Sequence, residues 1–266
     1  MRMIATYGHG TENDFIIIFD PNDEISVTTA QTARICNRDS GVGSDGLIRI
    51  TRRNEKWFMD YRNADGSVAE MCGNGIRVMA RYLVEKAHQP EGIFAIDTRD
   101  GIKHLRAPLI GDISVNMGQV VDKGESITAA TNNQIWNGYN ISVGNPHAVV
   151  FVDELSDVGQ LVDPPVVRPR ESYPEGVNVE FVKILDDNVL KMRVYERGSG
   201  ETRSCGTGTC AVALAATLKT KSKLPITWEI YPPGGKLEVA IDSHYNATLT
   251  GGAVIIKDVD ISEFLT

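Results

Sequence analysis

The sequence predicts a protein of the α+β class with two similar, pseudo-symmetric lobes, each a mixed sheet curled around a central helix. Apolar runs typical of strands outnumber those typical of helices and do not alternate regularly with them, which argues against a doubly wound parallel sheet. A Cys-Gly-x-Gly segment followed by a helix-forming run occurs twice, at Cys72 and at Cys205, half the chain length apart. An internal duplication is the simplest explanation of that repetition.

Three helices are expected. Residues 29–37 form the first, and the second follows Cys72, where apolar residues recur at the i, i+3, i+4, i+7 spacing of a helix face over residues 76–84. The same spacing follows Cys205 over residues 207–218, with small apolar residues filling the other side. Because a helix that is apolar all round is buried, we expect this third helix to lie inside its lobe.

Apolar runs bounded by Gly, Pro, Asn and Asp predict eight strands. They cover residues 15–19, 47–50, 57–61, 148–152, 177–182, 190–195, 237–241 and 253–256. The segment Gly41-Val42-Gly43-Ser44-Asp45-Gly46 matches the GxGxxG pattern of dinucleotide sites, but a helix precedes it and a strand follows, the reverse of what such a site needs. We therefore expect a turn at this segment and no nucleotide site.

Composition limits the class of protein and its partners. The chain has 266 residues, of which 42% are hydrophobic and 23% charged, as in an ordinary soluble globular protein. Its formal net charge of −8 is dispersed, and no basic stripe is present to bind a phosphate backbone, so no nucleic-acid partner is expected. No apolar run approaches the roughly 20 residues of a membrane span, and the first residues lack a secretory signal. We expect a cytoplasmic protein with no membrane partner.

The four cysteines are too few for a disulfide scaffold, and their spacing fits no zinc site, so no metal is expected. Cys36 and Cys210 lie in apolar helical faces, as buried thiols do. Cys72 and Cys205 instead lie among glycines and polar residues, each where a helix begins. Backbone N–H groups and the positive end of the helix dipole favour the thiolate there, and we expect them to lower the pKa of both thiols.

Two such thiols are suited to two kinds of chemistry. One thiolate can remove a proton from a carbon while the other thiol returns a proton to the opposite face, with helix-start amides stabilising the charge that develops on a carboxylate. That reaction inverts a stereocentre without a metal or a cofactor. The other possibility is a dithiol–disulfide redox couple. The residues considered so far leave both open.

Several short motifs carry a resemblance to a known family. They are His9-Gly10-Thr11-Glu12-Asn13-Asp14-Phe15, Asn63-Ala64-Asp65-Gly66, Met71-Cys72-Gly73-Asn74-Gly75, Gly144-Asn145-Pro146-His147, Asn178-Val179-Glu180-Phe181, Tyr195-Glu196-Arg197-Gly198 and Cys205-Gly206-Thr207-Gly208. In these motifs, and in their order over nearly the whole chain, the sequence closely resembles the diaminopimelate epimerases. Proline racemases resemble it in both cysteine motifs but typically carry His where this chain has Asn74.

The resemblance implies a homodimeric, cofactor-independent epimerase that interconverts LL- and meso-diaminopimelate, in lysine and peptidoglycan synthesis. It implies that Cys72 and Cys205 are the base and the acid, exchanging roles with reaction direction. His147 would assist near the cysteines, with Glu196 as its acidic counterpart. The substrate-binding residues that it implies are Asn13, Asn63, Gly73, Asn74, Asn145, Asn178, Glu196, Arg197, Gly206 and Thr207.

The domain boundaries follow from the duplication and the resemblance. The N-terminal lobe is expected to comprise residues 1–111 together with 253–266 and to carry Cys72. The C-terminal lobe is expected to comprise residues 112–252 and to carry Cys205. The resemblance places the substrate between the two lobes.

Each candidate residue also has a plain structural interpretation. Asn63 and Asn145 stand in turn sequences, His147 after proline is typical of a capping or surface residue, and Glu196 with Arg197 can be a solvated pair. Their joint occurrence with both cysteine motifs favours a functional site. Three other functions remain as alternatives: a proline or hydroxyproline racemase, a dithiol redox protein, and a ligand-binding module without turnover.

Overall fold

The computed structural model describes residues 2–131 and 134–265. Within these ranges it has three α-helices, eighteen β-strands and three short 3₁₀ helices. The helices are α1 (Thr29–Cys36), α2 (Gly73–Glu85) and α3 (Gly206–Thr220). The strands are β1 (Ile4–Gly10), β2 (Asn13–Phe19), β3 (Gly46–Arg53), β4 (Lys56–Asn63), β5 (Gly92–Thr98), β6 (Gly101–Ala107), β7 (Ile113–Gln119), β8 (Val121–Thr131), β9 (Gln134–Ser142), β10 (Pro146–Phe151), β11 (Val166–Arg168), β12 (Asn178–Asp186), β13 (Val189–Glu196), β14 (Gly200–Thr202), β15 (Ile226–Tyr231), β16 (Leu237–Ile241), β17 (Asn246–Gly251) and β18 (Val254–Asp260). The predicted α+β class is confirmed.

The predicted elements are all present, although many strands were not predicted. Each of the eight predicted strands overlaps an observed one, and all three predicted helices form. The GxGxxG segment is a loop that leads from α1 into β3, so the expected turn is confirmed. None of the described helices is long and apolar enough to span a membrane.

The chain divides into two compact units. Unit 1 comprises Met1–Val115 and Gly251–Thr266, and unit 2 comprises Asn116–Thr250. The last strand, β18, returns to pair antiparallel with β1, the first. Unit 1 is therefore completed by the C-terminal end of the chain.

A single long helix lies at the centre of unit 1. The helix α2 packs against β1, β2, β3, β4, β6 and β18. Every residue of α2 from Gly73 to Val84 is buried, as expected for a helix that strands surround. Cys36, predicted to be a buried thiol, is buried at the end of α1.

Unit 2 has the same plan. The helix α3 packs against β9, β10, β12, β15 and β16, and its residues from Gly208 to Thr217 are all buried. The prediction of an apolar helix inside its lobe is confirmed. Cys210 has none of its surface exposed, so it too is a buried thiol as expected.

The two units share one strand pattern. In unit 1, β2 runs antiparallel to β1 and parallel to β3, and β3 runs antiparallel to β4, which α2 follows. In unit 2, β10 runs antiparallel to β9 and parallel to β12, and β12 runs antiparallel to β13, after which come β14 and α3. Both sheets are thus mixed, with the same neighbours in the same directions.

The strand register gives the residue equivalence between the units. Phe15 on β2 lies opposite Gly46 on β3, and His147 on β10 lies opposite Asn178 on β12. Ile48 lies two residues after Gly46 on β3, and Glu180 lies two residues after Asn178 on β12. The places of Phe15 and Ile48 in unit 1 are therefore those of His147 and Glu180 in unit 2.

Candidate active site

Cys72 is the residue from which α2 begins. Its backbone is extended, with φ −134° and ψ 120°, and its Sγ accepts a hydrogen bond from the N–H of Gly75 at 3.4 Å. The residue is half-buried. A helix start carries backbone N–H groups that the helix itself does not use, so this thiol lies beside donors suited to an anion.

Two predicted binding residues, Asn13 and Asn74, meet at Cys72. The Asn13 Oδ1 accepts from the Cys72 thiol at 3.6 Å and from Asn74 Nδ2 at 3.2 Å. The Asn13 Nδ2 in turn donates to Asp45 Oδ2 at 2.7 Å, which fixes the orientation of the amide. These contacts make the first group of polar residues, here called the Cys72 cluster: Asn13, Cys72, Gly73, Asn74 and Arg77.

Arg77, one turn into α2, was not predicted to take part. None of its surface is exposed, and its guanidinium donates to the carbonyl of Gly73 at 3.1 Å, to Asn74 Oδ1 at 3.0 Å and to Thr11 Oγ1 at 3.2 Å. A buried cation thus supports the first turn of α2 and fixes Asn74. The sequence signal was available, since an arginine in a buried helical face needs polar partners.

Asn63 ends β4 and bonds within its own turn. Its Nδ2 donates to Ser67 Oγ at 3.0 Å, and the N–H of Gly66 donates to its carbonyl at 2.9 Å. These contacts match the turn-forming interpretation of the Asn-Ala-Asp-Gly motif.

Cys205 occupies the same position at the start of α3. Its backbone has φ −126° and ψ 118°, and its Sγ accepts from the N–H of Gly208 at 3.3 Å. The Oγ1 of Thr207 lies 3.5 Å from the same sulfur. Unlike Cys72, Cys205 is buried, with 6% of its surface exposed. The second group of polar residues, here called the Cys205 cluster, comprises Cys205, Thr207, Asn145, His147, Glu180 and Glu196.

The expectation of a lowered pKa is wrong for Cys205. Burial raises the pKa of its thiol well above the usual value, and the charges of Glu196 and Glu180 raise it further. The hydrogen bonds from Thr207 and Gly208 act in the opposite direction but are outweighed. Because a helix start favours the thiolate by far less than desolvation disfavours it, Cys205 is held as a protonated thiol.

Glu196 ends β13 beside Cys205. Its carboxylate accepts hydrogen bonds from Thr202 Oγ1 and from the Cys205 thiol. Removal of the carboxyl from water raises its pKa, although these two hydrogen bonds lower it in part. Glu196 is therefore not half of a solvated surface pair with Arg197, because its carboxylate bonds to Thr202 and Cys205.

His147 has none of its surface exposed, so it is not the surface residue that its position after proline suggested. Its Nδ1 lies 2.7 Å from Glu180 Oε1, and its Nε2 lies 3.0 Å from Asn145 Oδ1. Asn145 Nδ2 then donates to Thr207 Oγ1 at 3.3 Å. The acidic side chain bonded to His147 is therefore Glu180, whereas Glu196 bonds to Cys205.

Asn178 and Arg197 are linked through the backbone. The buried Asn178 side chain accepts from the N–H of Arg197 at 2.9 Å. The Arg197 guanidinium is exposed and donates to the carbonyl of Glu175 at 3.1 Å, with the Glu175 carboxylate 3.8 Å away. Asn178 thus fixes the chain at the end of β13 and leaves the charged end of Arg197 facing solvent.

Glu180 is the second functional residue that sequence reasoning missed. A comparison of the two halves in register would have found it, because a carboxylate stands where the first half has an isoleucine. The glycine of the Cys205 motif belongs to the same arrangement. A Cβ on Gly208 would lie 2.6 Å from Glu180 Oε1, so only glycine leaves space for this carboxylate.

The sequence matches one protein family along both of its halves. The family model described as diaminopimelate epimerase matches residues 5–122 and 139–256, one stretch for each half of the chain. The diaminopimelate epimerase of Streptomyces coelicolor is 43% identical over 273 residues, which cover 97% of this chain and 94% of that protein. The diaminopimelate epimerase of Thermobifida fusca is 42% identical over 269 residues and 96% of each chain.

Solved structures show the same fold at much lower identity. A phenazine biosynthesis protein of the PhzF family from Bacillus anthracis aligns with a TM-score of 0.74 at 16% identity, covering 98% of this chain and 99% of that one. A hydroxyproline epimerase from Agrobacterium vitis aligns with a TM-score of 0.71 at 14% identity, covering 97% and 92%. These likenesses concern the fold alone. The relatives above 40% identity and the family model, which together span nearly all of the sequence, show that the chain belongs to the diaminopimelate epimerase family.

Proposed function

We propose that this chain interconverts LL- and meso-diaminopimelate by moving protons at one α-carbon. The observation that carries the proposal is the repeated helix start, at which Cys72 and Cys205 each accept a hydrogen bond from the amide three residues on. Both thiols act on the same carbon in this reaction, one on each face. The substrate is the one for which the family is named.

The two thiols differ in a way that suits opposite roles. Cys205 is buried and held as a thiol, so it is ready to donate a proton. Cys72 is half-buried, and it acts as the base in the direction in which Cys205 is the acid. After one turnover Cys72 carries a proton and Cys205 has lost one, so the reverse reaction exchanges the roles. No metal or cofactor takes part in these transfers.

The reacting carboxylate is the group that needs stabilisation as the α-carbon loses its proton. The helix-start residues Gly73, Asn74, Gly206 and Thr207 present amides to it, as helix starts do for anions. Arg77 adds a buried positive charge beneath the first turn of α2. Preorganised donors of this kind lower the barrier because they are already oriented when the negative charge develops.

The far end of diaminopimelate carries a second ammonium and carboxylate. Arg197 offers an exposed guanidinium, which suits a carboxylate, and the amides of Asn13, Asn63, Asn145 and Asn178 offer oxygens that suit an ammonium. We assign these five side chains, with Glu196, to substrate recognition. The second amino-acid end would distinguish this substrate from proline.

The working form is a homodimer in the cytoplasm, as the family resemblance implies. The proposal of a dimer is separate from the chemistry of the two thiols. Size-exclusion chromatography with light scattering tests it, and a mass near 29.1 kDa, the mass of one chain, would contradict it.

The decisive experiment follows hydrogen exchange in D₂O. Purified protein, treated with chelator and reductant, is incubated with LL-diaminopimelate, and NMR records loss of the α-proton and appearance of the meso form. We expect both in the wild type, and neither in Cys72→Ser or Cys205→Ser. Cys210→Ala, a change within α3 at a buried thiol outside the Cys205 cluster, is the matched control and should retain exchange.

Other outcomes separate the alternatives. Exchange with proline or hydroxyproline but not with diaminopimelate would replace the substrate and keep the chemistry. Thiol-dependent electron transfer without any exchange would replace the chemistry by the redox alternative. Full activity in either serine variant would refute the two-thiol mechanism.

A further inference from the structure

A buried polar pair lies where the other unit has an apolar one. His147 and Glu180 stand at the register positions that Phe15 and Ile48 occupy in unit 1. All four side chains have none of their surface exposed. The same local structure therefore forms with two hydrocarbon side chains in one unit and with an imidazole and a carboxylate in the other.

Both pairs lie directly beneath a helix start. A Cβ on Gly75 of α2 would lie 3.1 Å from Ile48 Cδ1 and 3.4 Å from Phe15 Cε1. A Cβ on Gly208 of α3 would lie 2.6 Å from Glu180 Oε1. Because unit 1 places only apolar side chains at these two positions beneath its helix start, the fold does not need a carboxylate at the position of Glu180.

The carboxylate also destabilises the core that contains it. Among the described residues none donates a hydrogen bond to Glu180 Oε2, which is buried. An isolated buried polar atom costs about 1–3 kcal/mol, and a charged one costs more. An acid that is unnecessary for packing and costly to bury points to a role in chemistry.

Hydrogen bonds connect Glu180 to the Cys205 thiol. They run from Glu180 Oε1 to His147 Nδ1 (2.7 Å), from His147 Nε2 to Asn145 Oδ1 (3.0 Å) and from Asn145 Nδ2 to Thr207 Oγ1 (3.3 Å). The last contact joins Thr207 Oγ1 and Cys205 Sγ (3.5 Å). Because a carboxylate only accepts hydrogen bonds, the first contact requires the proton to lie on Nδ1 of His147.

We propose that Glu180 is a positioning residue that keeps a proton on His147 Nδ1 and directs Nε2 towards Asn145 and the Cys205 thiol. The role concerns the site described under the proposed function and rests on it. Glu180 touches neither substrate nor thiol in this role. It acts through His147, the residue that the family resemblance assigns to catalysis.

With Nδ1 fixed, the chain of hydrogen bonds has two complete arrangements. If Nε2 carries a proton, it donates to Asn145 Oδ1, Asn145 Nδ2 donates to Thr207, and the Thr207 hydroxyl donates to a Cys205 thiolate. If Nε2 is bare, the Asn145 amide is turned over so that Nδ2 donates to Nε2, Thr207 donates to Asn145 Oδ1, and the Cys205 thiol keeps its hydrogen bond to Glu196. The direction of the Asn145 amide therefore decides whether the Thr207 hydroxyl donates to Cys205 or to Asn145.

The test reads the tautomer of His147 directly. Protein with ¹⁵N-labelled histidine is studied by long-range ¹H–¹⁵N NMR at a pH where the imidazole is neutral, and His147→Phe, the unit 1 residue, assigns the signal among the five histidines. We expect the Nδ1–H tautomer in the wild type. Glu180→Gln should keep it, because an amide oxygen also accepts, and Glu180→Ile, again the unit 1 residue, should lose it.

Kinetics supply the second readout. We expect Glu180→Ile to lower kcat by at least roughly tenfold with little change in KM, since a positioned proton-transfer group contributes about 10²–10⁴-fold. Glu180→Gln should retain most of the rate. Phe181→Leu, a change at the neighbouring buried residue of β12, is the matched control, and should lower stability without altering the tautomer.

Two results would overturn the proposal. One is a wild-type His147 that carries its neutral proton on Nε2, which is decisive even if the isoleucine variant does not fold. The other is a folded Glu180→Ile protein with unchanged tautomer and kcat. Failure of the proposed function is distinguishable from both, because an inactive wild type would still report its tautomer.

Discussion

Replacing Gly208 by alanine should damage the Cys205 cluster, whereas the equivalent change in unit 1 should be mild. Gly208 is the third residue of α3 and Gly75 the third residue of α2. In both, alanine would by itself favour the helix by roughly 0.5–1 kcal/mol. The difference lies in what the new methyl group meets.

At Gly208 the methyl group would lie 2.6 Å from Glu180 Oε1. The carboxylate has no exposed surface and can move only by breaking its 2.7 Å contact with His147. Overpacking costs about 1–3 kcal/mol, and a hydrogen bond to a charged group contributes about 1.5–3 kcal/mol. After the gain in helix propensity, Gly208→Ala should cost roughly 2–4 kcal/mol and lower Tm by about 5–10 °C.

At Gly75 the nearest atoms are the Met59 methyl group at 2.9 Å and Ile48 Cδ1 at 3.1 Å. Both are the ends of apolar side chains, and methionine adapts to small changes in space. We therefore expect Gly75→Ala to alter stability by less than about 1 kcal/mol. Thermal unfolding by circular dichroism and kcat for epimerisation test the pair, with kcat falling in Gly208→Ala. Equal losses in both variants, or a Gly208→Ala protein with wild-type Tm and kcat, would refute the reasoning.

Two further predictions concern ionisable groups. Burial and the charge of Glu196 raise the pKa of Cys205, so its alkylation by iodoacetamide at pH 8 should be slow, and Glu196→Gln should speed it; equal rates would contradict this. The raised pKa of Cys205 also makes folding stability depend on pH: the stability is present below the unfolded thiol's pKa of about 8.5 and is lost as pH rises above that value. In urea unfolding titrations, Cys205→Ala should reduce this dependence of stability on pH. Burial alone would raise the pKa of Asp60, yet hydrogen bonds from Arg99 and Arg49 hold it below its usual range. The stability that Asp60 contributes is present above pH about 4 and is lost as pH falls through its folded pKa. Asp60→Asn should therefore cost about 3 kcal/mol in urea unfolding at neutral pH, and this cost should shrink as the solution becomes acidic; a cost that does not change with pH would contradict the ion pairs as its source.

The helices and the apolar strands could be predicted because the local spacing of their apolar residues matches the faces that are buried. The run from Phe15 to Phe19 is buried on both faces of β2 except at its end, and it reads as a continuous apolar segment. The helix α3 is surrounded by strands, and its sequence is apolar on every side. In such elements one physical requirement, removal from water, determines the residue types throughout.

In the strands that were not predicted, the buried positions are not consistently apolar and the exposed positions are not consistently polar. In β6 the buried face carries Lys103, whose ammonium pairs with Asp100 at 2.7 Å, while Ile102 is half exposed on the other face. A strand with lysine inside and isoleucine outside has no period-2 signal. Its pairing with β5 and β7 comes from partners elsewhere in the chain, which a local pattern does not contain.

The candidate site also has a part that could be predicted from local sequence and a part that depends on contacts between distant residues. The two cysteines could be found because each motif is contiguous and repeated, whereas the contact between His147 and Glu180 joins residues 33 apart through a parallel strand pair. The pKa expectation for Cys205 failed for a related reason. The helix start is a local feature, but the burial and the carboxylates that outweigh it come from other strands.

The pairing of β18 with β1 has a consequence for synthesis of the protein on the ribosome. Unit 2 is continuous in sequence and can close as soon as residue 250 has left the exit tunnel. Unit 1 begins earlier, but the edge of β1 that faces away from β2 stays unpaired until β18, which follows unit 2 in the sequence, has also emerged. We expect the N-terminal half to wait as an incomplete sheet with an open edge, a state that attracts chaperones and neighbouring chains, while the later half folds first.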